Sequence, residues 1–207
     1  MIRFPRLAAA GLGAVLLIAP LAVVAQDGLT RDPARVEAGA YRFDASHSKI
    51  TWSVNHLGFS TYVGQFSKVE GDLTLDPRAP ADARLSVTVD TASVGTLNEA
   101  LDNHLKAPDF LDVARYPTAT FKATRIALTG ERTADITGDL TLHGVTRPVV
   151  VKARFNQAGP NPLNKTYTIG FDGEASIKRS DFGIDTYVPA ISDEVTLKLE
   201  AELQKVG

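Results

Sequence analysis

The sequence has no cysteine among its 207 residues. This absence excludes disulfide bonds, a thiol nucleophile, a cysteine-ligated metal site and a thiol for lipoprotein attachment. A large excess of charge of either sign is also lacking, because 22 basic and 24 acidic side chains leave a formal net charge of -2. A slightly acidic chain has no electrostatic basis for binding nucleic acid, so we expect no nucleic-acid partner. Only serine, carboxylate, histidine or lysine chemistry remains open.

Beyond residue 25, the sequence also lacks any uncharged run that could span a membrane. Before that point, Arg3 and Arg6 precede an uncharged stretch, residues 7–25, which ends in small residues. This pattern predicts a secretory signal peptide, residues 1–25, cut after Ala25. An uncleaved anchor is the alternative, but Pro20 would break its helix. We therefore expect export to the periplasm and no stable membrane span after cleavage.

Residues 26–40 are mostly polar or small and have little periodicity, so we expect a flexible leader. From residue 41 to residue 207, apolar and polar side chains alternate, as in Leu85, Val87 and Val89, which is typical of half-buried antiparallel strands. About eight such segments are separated by turn signals, and one helical spacing occurs, in residues 97–112. The pattern predicts an all-β domain: an extended antiparallel eight-stranded barrel with one short helical segment. Closure hides the sheet edges, and a barrel of this size can hold one small ligand.

One strand carries a stripe that could line such a ligand site. In residues 48–56 the alternation places Ile50, Trp52, Val54 and His56 on one face. An apolar stripe that ends in an imidazole fits the wall of an apolar pocket with a polar group near its mouth, but ordinary core packing gives the same pattern. Further rings could line or fill the same interior: Phe59, Phe66, Phe110, Phe121, Phe155, Phe171 and Phe182.

The sequence suggests a different role for each of the four histidines. His56 could hydrogen-bond a phenol, quinone or phosphate head group, or be satisfied by backbone. His104 lies one helical turn from Leu101 and could face the mouth or solvent, while His143 before a glycine is typical of a hairpin turn. With His47 included, they form no i, i+4 pair and no metal-site spacing. We therefore expect no metal and no cofactor.

A short C-terminal segment contains Arg179, Asp181 and Asp185. These side chains could form an anion clamp or an acid/base pair, whereas a local ion pair that fixes the loop is the simpler interpretation. Ser180 lacks the Gly-x-Ser-x-Gly surroundings of a serine hydrolase, so we do not expect that activity.

Several motifs in series resemble the YceI-like family of secreted, lipocalin-type proteins. The similarity runs from about Tyr41 to Leu203 through these segments: Tyr41-Arg42-Phe43-Asp44, Val54-Asn55-His56-Leu57-Gly58-Phe59-Ser60, Asp109-Phe110-Leu111-Asp112, Leu142-His143-Gly144-Val145-Thr146-Arg147-Pro148 and Arg179-Ser180-Asp181-Phe182-Gly183. The resemblance implies a lipocalin-like barrel in a bacterial periplasm that binds an amphiphile with a long isoprenoid or similar chain. It does not identify the natural ligand.

The main hypothesis is therefore a non-enzymatic periplasmic carrier or sequestering protein for a polyisoprenoid, an isoprenoid quinone or a similar lipid, with a homodimer left open. The candidate ligand-binding residues are Ile50, Trp52, Val54, His56, Phe59, Phe66, His104, Phe110, Phe121, Phe155, Phe171 and Phe182. One alternative is a lipid-modifying enzyme with His56 or Asp181 as acid or base. Another is a filled barrel that acts as a stress-related, partner-binding module.

Overall fold

The computed structural model describes residues 28–207, and the predicted signal peptide lies outside them. Within this range the chain forms eleven strands and one α-helix. The strands are β1 Gly39–Phe43, β2 Lys49–His56, β3 Ser60–Phe66, β4 Val69–Leu75, β5 Arg84–Asp90, β6 Val94–Gly95, β7 Thr118–Leu128, β8 Thr133–Leu142, β9 Val145–Pro160, β10 Tyr167–Lys178 and β11 Glu194–Lys205. The helix, α1, is Glu99–Lys106.

Eight of the strands close a barrel in the order β1-β4-β5-β7-β8-β9-β10-β11, because β1 also pairs with β11. Neighbouring strands are antiparallel, and the longest run of paired residues is that between β10 and β11. Strands β2, β3 and β6 continue the sheet from β11. The prediction of an all-β, eight-stranded antiparallel barrel with one short helix is confirmed.

The barrel has two distinct ends, because successive strands run in opposite directions. The connections 76–83, 129–132 and 161–166 lie at one end, together with residues 28–38 that precede β1. We call this the mouth end.

At the other end are the turns 57–59 and 143–144, the segment 91–117 and the loop 179–193. We call this the closed end. Helix α1 belongs to it and is capped at its N-terminus by Asn98, whose side chain accepts a hydrogen bond from the backbone N–H of Leu101.

Part of the expected leader packs against the barrel instead of extending from it. Thr30 exchanges two backbone hydrogen bonds of 2.8 Å with Ala158. Val36 is only 5% exposed and belongs to a core cluster with Tyr41. A single apolar residue among polar ones gives no periodic signal, so the sequence did not indicate this contact.

Candidate ligand-binding site

The interior of the barrel contains a cavity of about 300 Å³. All eight barrel strands and the start of β2 contribute to its wall. Most lining side chains are aliphatic or aromatic, so the cavity offers dispersion and hydrophobic contacts and few hydrogen bonds. The barrel interior is therefore not completely filled by its own side chains.

Small residues contribute to the empty space. Ala134 on β8 pairs with Ala153 on β9, which pairs in turn with Gly173 on β10, and all three line the cavity. A Cβ added to Gly173 would lie 3.1 Å from a methyl group of Val151 and 3.2 Å from one of Leu199, so these two side chains already occupy the space beside the glycine. Ala134 and Ala153 contribute little side-chain volume to the wall at the same level.

The cavity reaches the mouth end. Pro33, Pro77, Leu128 and Arg132 belong to its wall there, and Leu128 is 60% exposed. The carbonyl of Arg132 accepts a 2.8 Å hydrogen bond from the backbone N–H of Phe155, a lining residue. Among the described residues, the guanidinium of Arg132 has no hydrogen-bond or ion-pair partner. The rim of the apolar cavity therefore carries a cation, Arg132, next to the acidic Glu131.

Four of the predicted residues meet at this cavity: Ile50, Phe121, Phe155 and Phe171. Phe155 and Phe171 are cross-strand neighbours on β9 and β10, and their ring centroids lie 5.6 Å apart. The structure thus brings residues of four strands to the cavity.

Three other predicted residues lie inside the protein but away from the cavity wall. Trp52 is buried against Gly64, where an added Cβ would come within 2.2 Å of the indole. Its Nε1–H has no acceptor among the described residues. Val54 is half-buried opposite Tyr62, and Phe66 packs on the cluster that contains Val69. These side chains fill the interior beyond the cavity.

The remaining predicted residues lie at the closed end. The ring of His56 is 5.9 Å from that of Tyr62, and Phe59 is 89% exposed. His104 packs edge-on against Phe110, with ring centroids 4.9 Å apart.

Phe182 is also at the closed end, where it is fully buried and its carbonyl oxygen lies 3.0 Å from Nδ1 of His143. Because β2 runs from the cavity towards the closed end, its stripe begins on the wall and then leaves it. None of His56, Phe59, His104, Phe110 and Phe182 lines the cavity.

The segment around Arg179 is a structural anchor of the loop 179–193. The buried guanidinium donates hydrogen bonds of 2.8–3.1 Å to four carbonyls: Ser192, Ile184, Thr186 and Ile191. Burial lowers the pKa of this guanidinium. With its donors used in this way, Arg179 is not free to clamp an anion. The loop is fixed, as expected, but by carbonyls instead of an ion pair with Asp181.

Sequence reasoning missed a cluster formed by Asp44, His47 and Glu202, whose ligand-type atoms lie within 4.8 Å of one another. Hydrogen bonds from Ser46 and then from His47 hold the pKa of Asp44 at about 2, and the bond to Asp44 raises the pKa of His47. The side-chain amide of Gln204 also donates a hydrogen bond, to the same Asp44 oxygen that His47 contacts. The i, i+3 spacing of Asp44 and His47 was the available signal.

These side chains are of types that could hold a divalent cation, but hydrogen bonds already occupy both oxygens of Asp44. The cluster therefore acts as a tie between the β1–β2 connection and β11, to which Gln204 and Glu202 belong. Within the described part of the chain, no helix has the length and apolar character needed to cross a bilayer.

Comparison with known proteins identifies the family and supports the fold. The YceI-like domain model matches residues 41–203. A UPF0312 protein of Pseudomonas savastanoi pv. phaseolicola is 39% identical over 178 residues, which are 86% of this chain and 86% of the relative. A UPF0312 protein of Pseudomonas aeruginosa is 41% identical over 167 residues, 80% of this chain and 86% of the relative.

Solved structures show the same architecture. The crystal structure of Burkholderia cenocepacia BcnA superposes with a TM-score of 0.70 at 28% identity, covering 77% of this chain and 98% of that protein. The Campylobacter jejuni YCEI protein gives a TM-score of 0.66 at 31% identity, covering 73% and 90%. A polyisoprenoid binding domain from Saccharophagus degradans gives 0.61 at 15% identity, covering 82% and 100%, and shares the fold. The chain belongs to the YceI-like family.

Proposed function

We propose that this protein is a periplasmic binding protein that carries or sequesters a long-chain amphiphile, such as a polyisoprenoid or an isoprenoid quinone. The observation that carries the proposal is the apolar cavity of about 300 Å³ inside the barrel, which reaches the surface at one end. The tail of the amphiphile lies in this cavity, and its polar head lies near the rim.

The size of the cavity limits how much of the tail is enclosed. A water molecule occupies about 30 Å³ of liquid, so 300 Å³ holds roughly ten heavy atoms. This corresponds to about two isoprene units, and the rest of a longer chain extends through the mouth end. Ten buried carbons at about 0.8 kcal/mol each give roughly 8 kcal/mol before the costs of association. Those costs leave an expected Kd in the micromolar range or weaker unless the barrel widens.

The name of one structural neighbour supports this ligand class, since the Saccharophagus degradans protein is described as a polyisoprenoid binding domain. Proposed export rests on the pattern of residues 1–25. We propose binding without catalysis, because neither His56 nor Asp181, the residues of the enzymatic alternative, lines the cavity. The open interior also favours a ligand over a filled barrel.

The direct test is native mass spectrometry of protein purified from the periplasm without detergent, followed by organic extraction of the bound material. We expect a lipid of one chemical class in stoichiometric amount, and binding of an added prenylated benzoquinone. Protein that is repeatedly empty and does not bind this quinone would refute the proposal. Sequencing the N-terminus of the exported chain tests the cleavage after Ala25.

A further inference from the structure

We propose that the mouth end docks on the surface of a lipid bilayer, so that an amphiphile passes between membrane and cavity with little exposure to water. This inference rests on the proposed binding function. It adds a partner, a phospholipid surface, and an orientation of the molecule on it. The evidence is the distribution of apolar and charged side chains between the two ends of the barrel.

Apolar side chains at the mouth end connect the cavity with the outside. Leu128 is 60% exposed and also lines the cavity, so a single side chain touches both solvent and the ligand space. Leu163, in the connection 161–166, is 92% exposed at the same end. Pro77 and Pro80 of the connection 76–83 complete the rim. A bilayer interface would cover these groups and continue the apolar path.

Charge separates the two ends. The mouth-end segments carry five basic and five acidic side chains: Arg31, Arg35, Arg78, Arg132 and Lys165, and Asp32, Glu37, Asp76, Asp82 and Glu131. The closed-end segments carry three basic and seven acidic ones: Lys106, Arg115 and Arg179, and Glu99, Asp102, Asp109, Asp112, Asp181, Asp185 and Asp193. An anionic membrane therefore repels the closed end and accepts the mouth end.

One further basic group increases this difference slightly. At the mouth end, Asp76 is paired with Arg78, which leaves the balance of charge unchanged, whereas Lys205, at the end of β11, is a basic group outside this count and pairs with Glu37. Arg132 has no acidic partner among the described residues and stands at the rim, where it can meet a lipid phosphate.

The closed end is the competing docking surface, because it also exposes large apolar side chains, including Leu57, Phe59, Leu97 and Tyr187. The acidic segments described above lie at the same end, and none of these four side chains lines the cavity of the barrel. The two ends make opposite predictions for an anionic bilayer, so one experiment can decide between them.

The absence of cysteine allows a single spin label at each end, through Leu163→Cys or Phe59→Cys. The probe is a vesicle of phosphatidylcholine and phosphatidylglycerol. We expect the label at position 163 to gain accessibility to oxygen and lose accessibility to a water-soluble nickel chelate when vesicles are added. The label at position 59 should not change. A response at position 59 alone, or at neither position, would overturn the proposal.

Co-flotation with the same vesicles gives a second measurement. Leu163→Asp should reduce the bound fraction about tenfold, as expected for replacing a leucine that inserts into an apolar interface. The matched control, Phe59→Asp, should float like the unmodified protein. Solution binding of a short prenylated benzoquinone, followed by quenching of the sole tryptophan, should be equal in all three proteins. If the unmodified protein does not bind the quinone, the proposed binding function is wrong. If Leu163→Asp and Phe59→Asp float equally while quinone binding is intact, only the docking proposal is wrong.

Discussion

Filling the cavity from its wall tests whether the space inside the barrel is the ligand site. Ala153 is the position of choice, because it lines the cavity and its cross-strand neighbour Ala134 is also small. Ala153→Phe adds six ring carbons, on the order of 180 Å³ at about 30 Å³ per heavy atom. This is more than half of the cavity volume of about 300 Å³.

The expected loss of affinity follows from the displaced tail. A volume on the order of 180 Å³ corresponds to about six chain carbons at about 0.8 kcal/mol each, or roughly 5 kcal/mol. The Kd for a prenylated benzoquinone should therefore rise by more than about 1,000-fold. Stability should stay equal or increase, because the ring enters empty space and buries apolar area, whereas overpacking a filled core costs about 1–3 kcal/mol.

The assay combines quenching of Trp52 by the quinone with urea unfolding of the same samples. Trp52 is the only tryptophan and pairs with Leu197, a residue of the cavity wall, so its emission reports on this region. The matched control is Val150→Phe, which adds a ring to an exposed position of the same strand and should change neither quantity. A destabilised Ala153→Phe protein would show that the interior is filled. A stable protein with unchanged quinone affinity would show that the ligand binds elsewhere.

Three further predictions concern the structure around the site. Asp44→Asn should lower the Tm most between pH 3.8 and 6.5. The lowered pKa of Asp44 stabilises the fold fully above pH 3.8, and this stabilisation is lost as the pH falls towards about 2. The raised pKa of His47 stabilises the fold fully below pH 6.5, and that stabilisation is lost as the pH rises. A pH-independent change in Tm would contradict this. Arg179→Met should cost on the order of 3 kcal/mol in urea unfolding, since four carbonyls lose their donor, and should expose loop 179–193 to proteases; a protease-resistant loop would refute the anchor role. Gly64→Ala should cost about 1–3 kcal/mol because the new methyl group meets the indole, whereas Gly95→Ala, with open space around it, should not. Equal stability of the two glycine variants would disprove the contact.

The barrel itself could be predicted from the sequence, because alternation along a strand depends only on local pattern. In β5, Leu85, Val87 and Val89 alternate with polar residues, and all three line the cavity in the structure. The same rule identified the inward face of β2. Period-two patterns thus indicate which side of a strand faces inward.

Position along the barrel axis could not be predicted in the same way. Ile50 and His56 lie on one face of β2, but the first is on the cavity wall and the second is at the closed end beside Tyr62. The alternation is identical at both positions. Only the pairing of β2 with β11 and the place where the cavity ends distinguish them, and both depend on other strands.

The cavity was the hardest feature to predict, because empty space is produced by residues that are distant in sequence. Ala134, Ala153 and Gly173 are unremarkable individually, and only the register of β8, β9 and β10 places them side by side. Large rings such as Phe182 were the more visible candidates, and several of them fill the closed end. For a barrel of this kind, inward alanine and glycine at matched register are a better signal for a ligand site than inward phenylalanine.

The division of the core explains how the fold tolerates such a space. Among the described residues the buried side chains form three clusters, represented by Tyr41, Val69 and Phe182. Two half-buried side chains join them, because Phe43 packs against the first and second clusters and Leu142 against the second and third. Each cluster includes residues of the cavity wall. The packed side chains thus form a linked shell around the cavity, and under the proposed function the space that this shell leaves is available to a ligand tail.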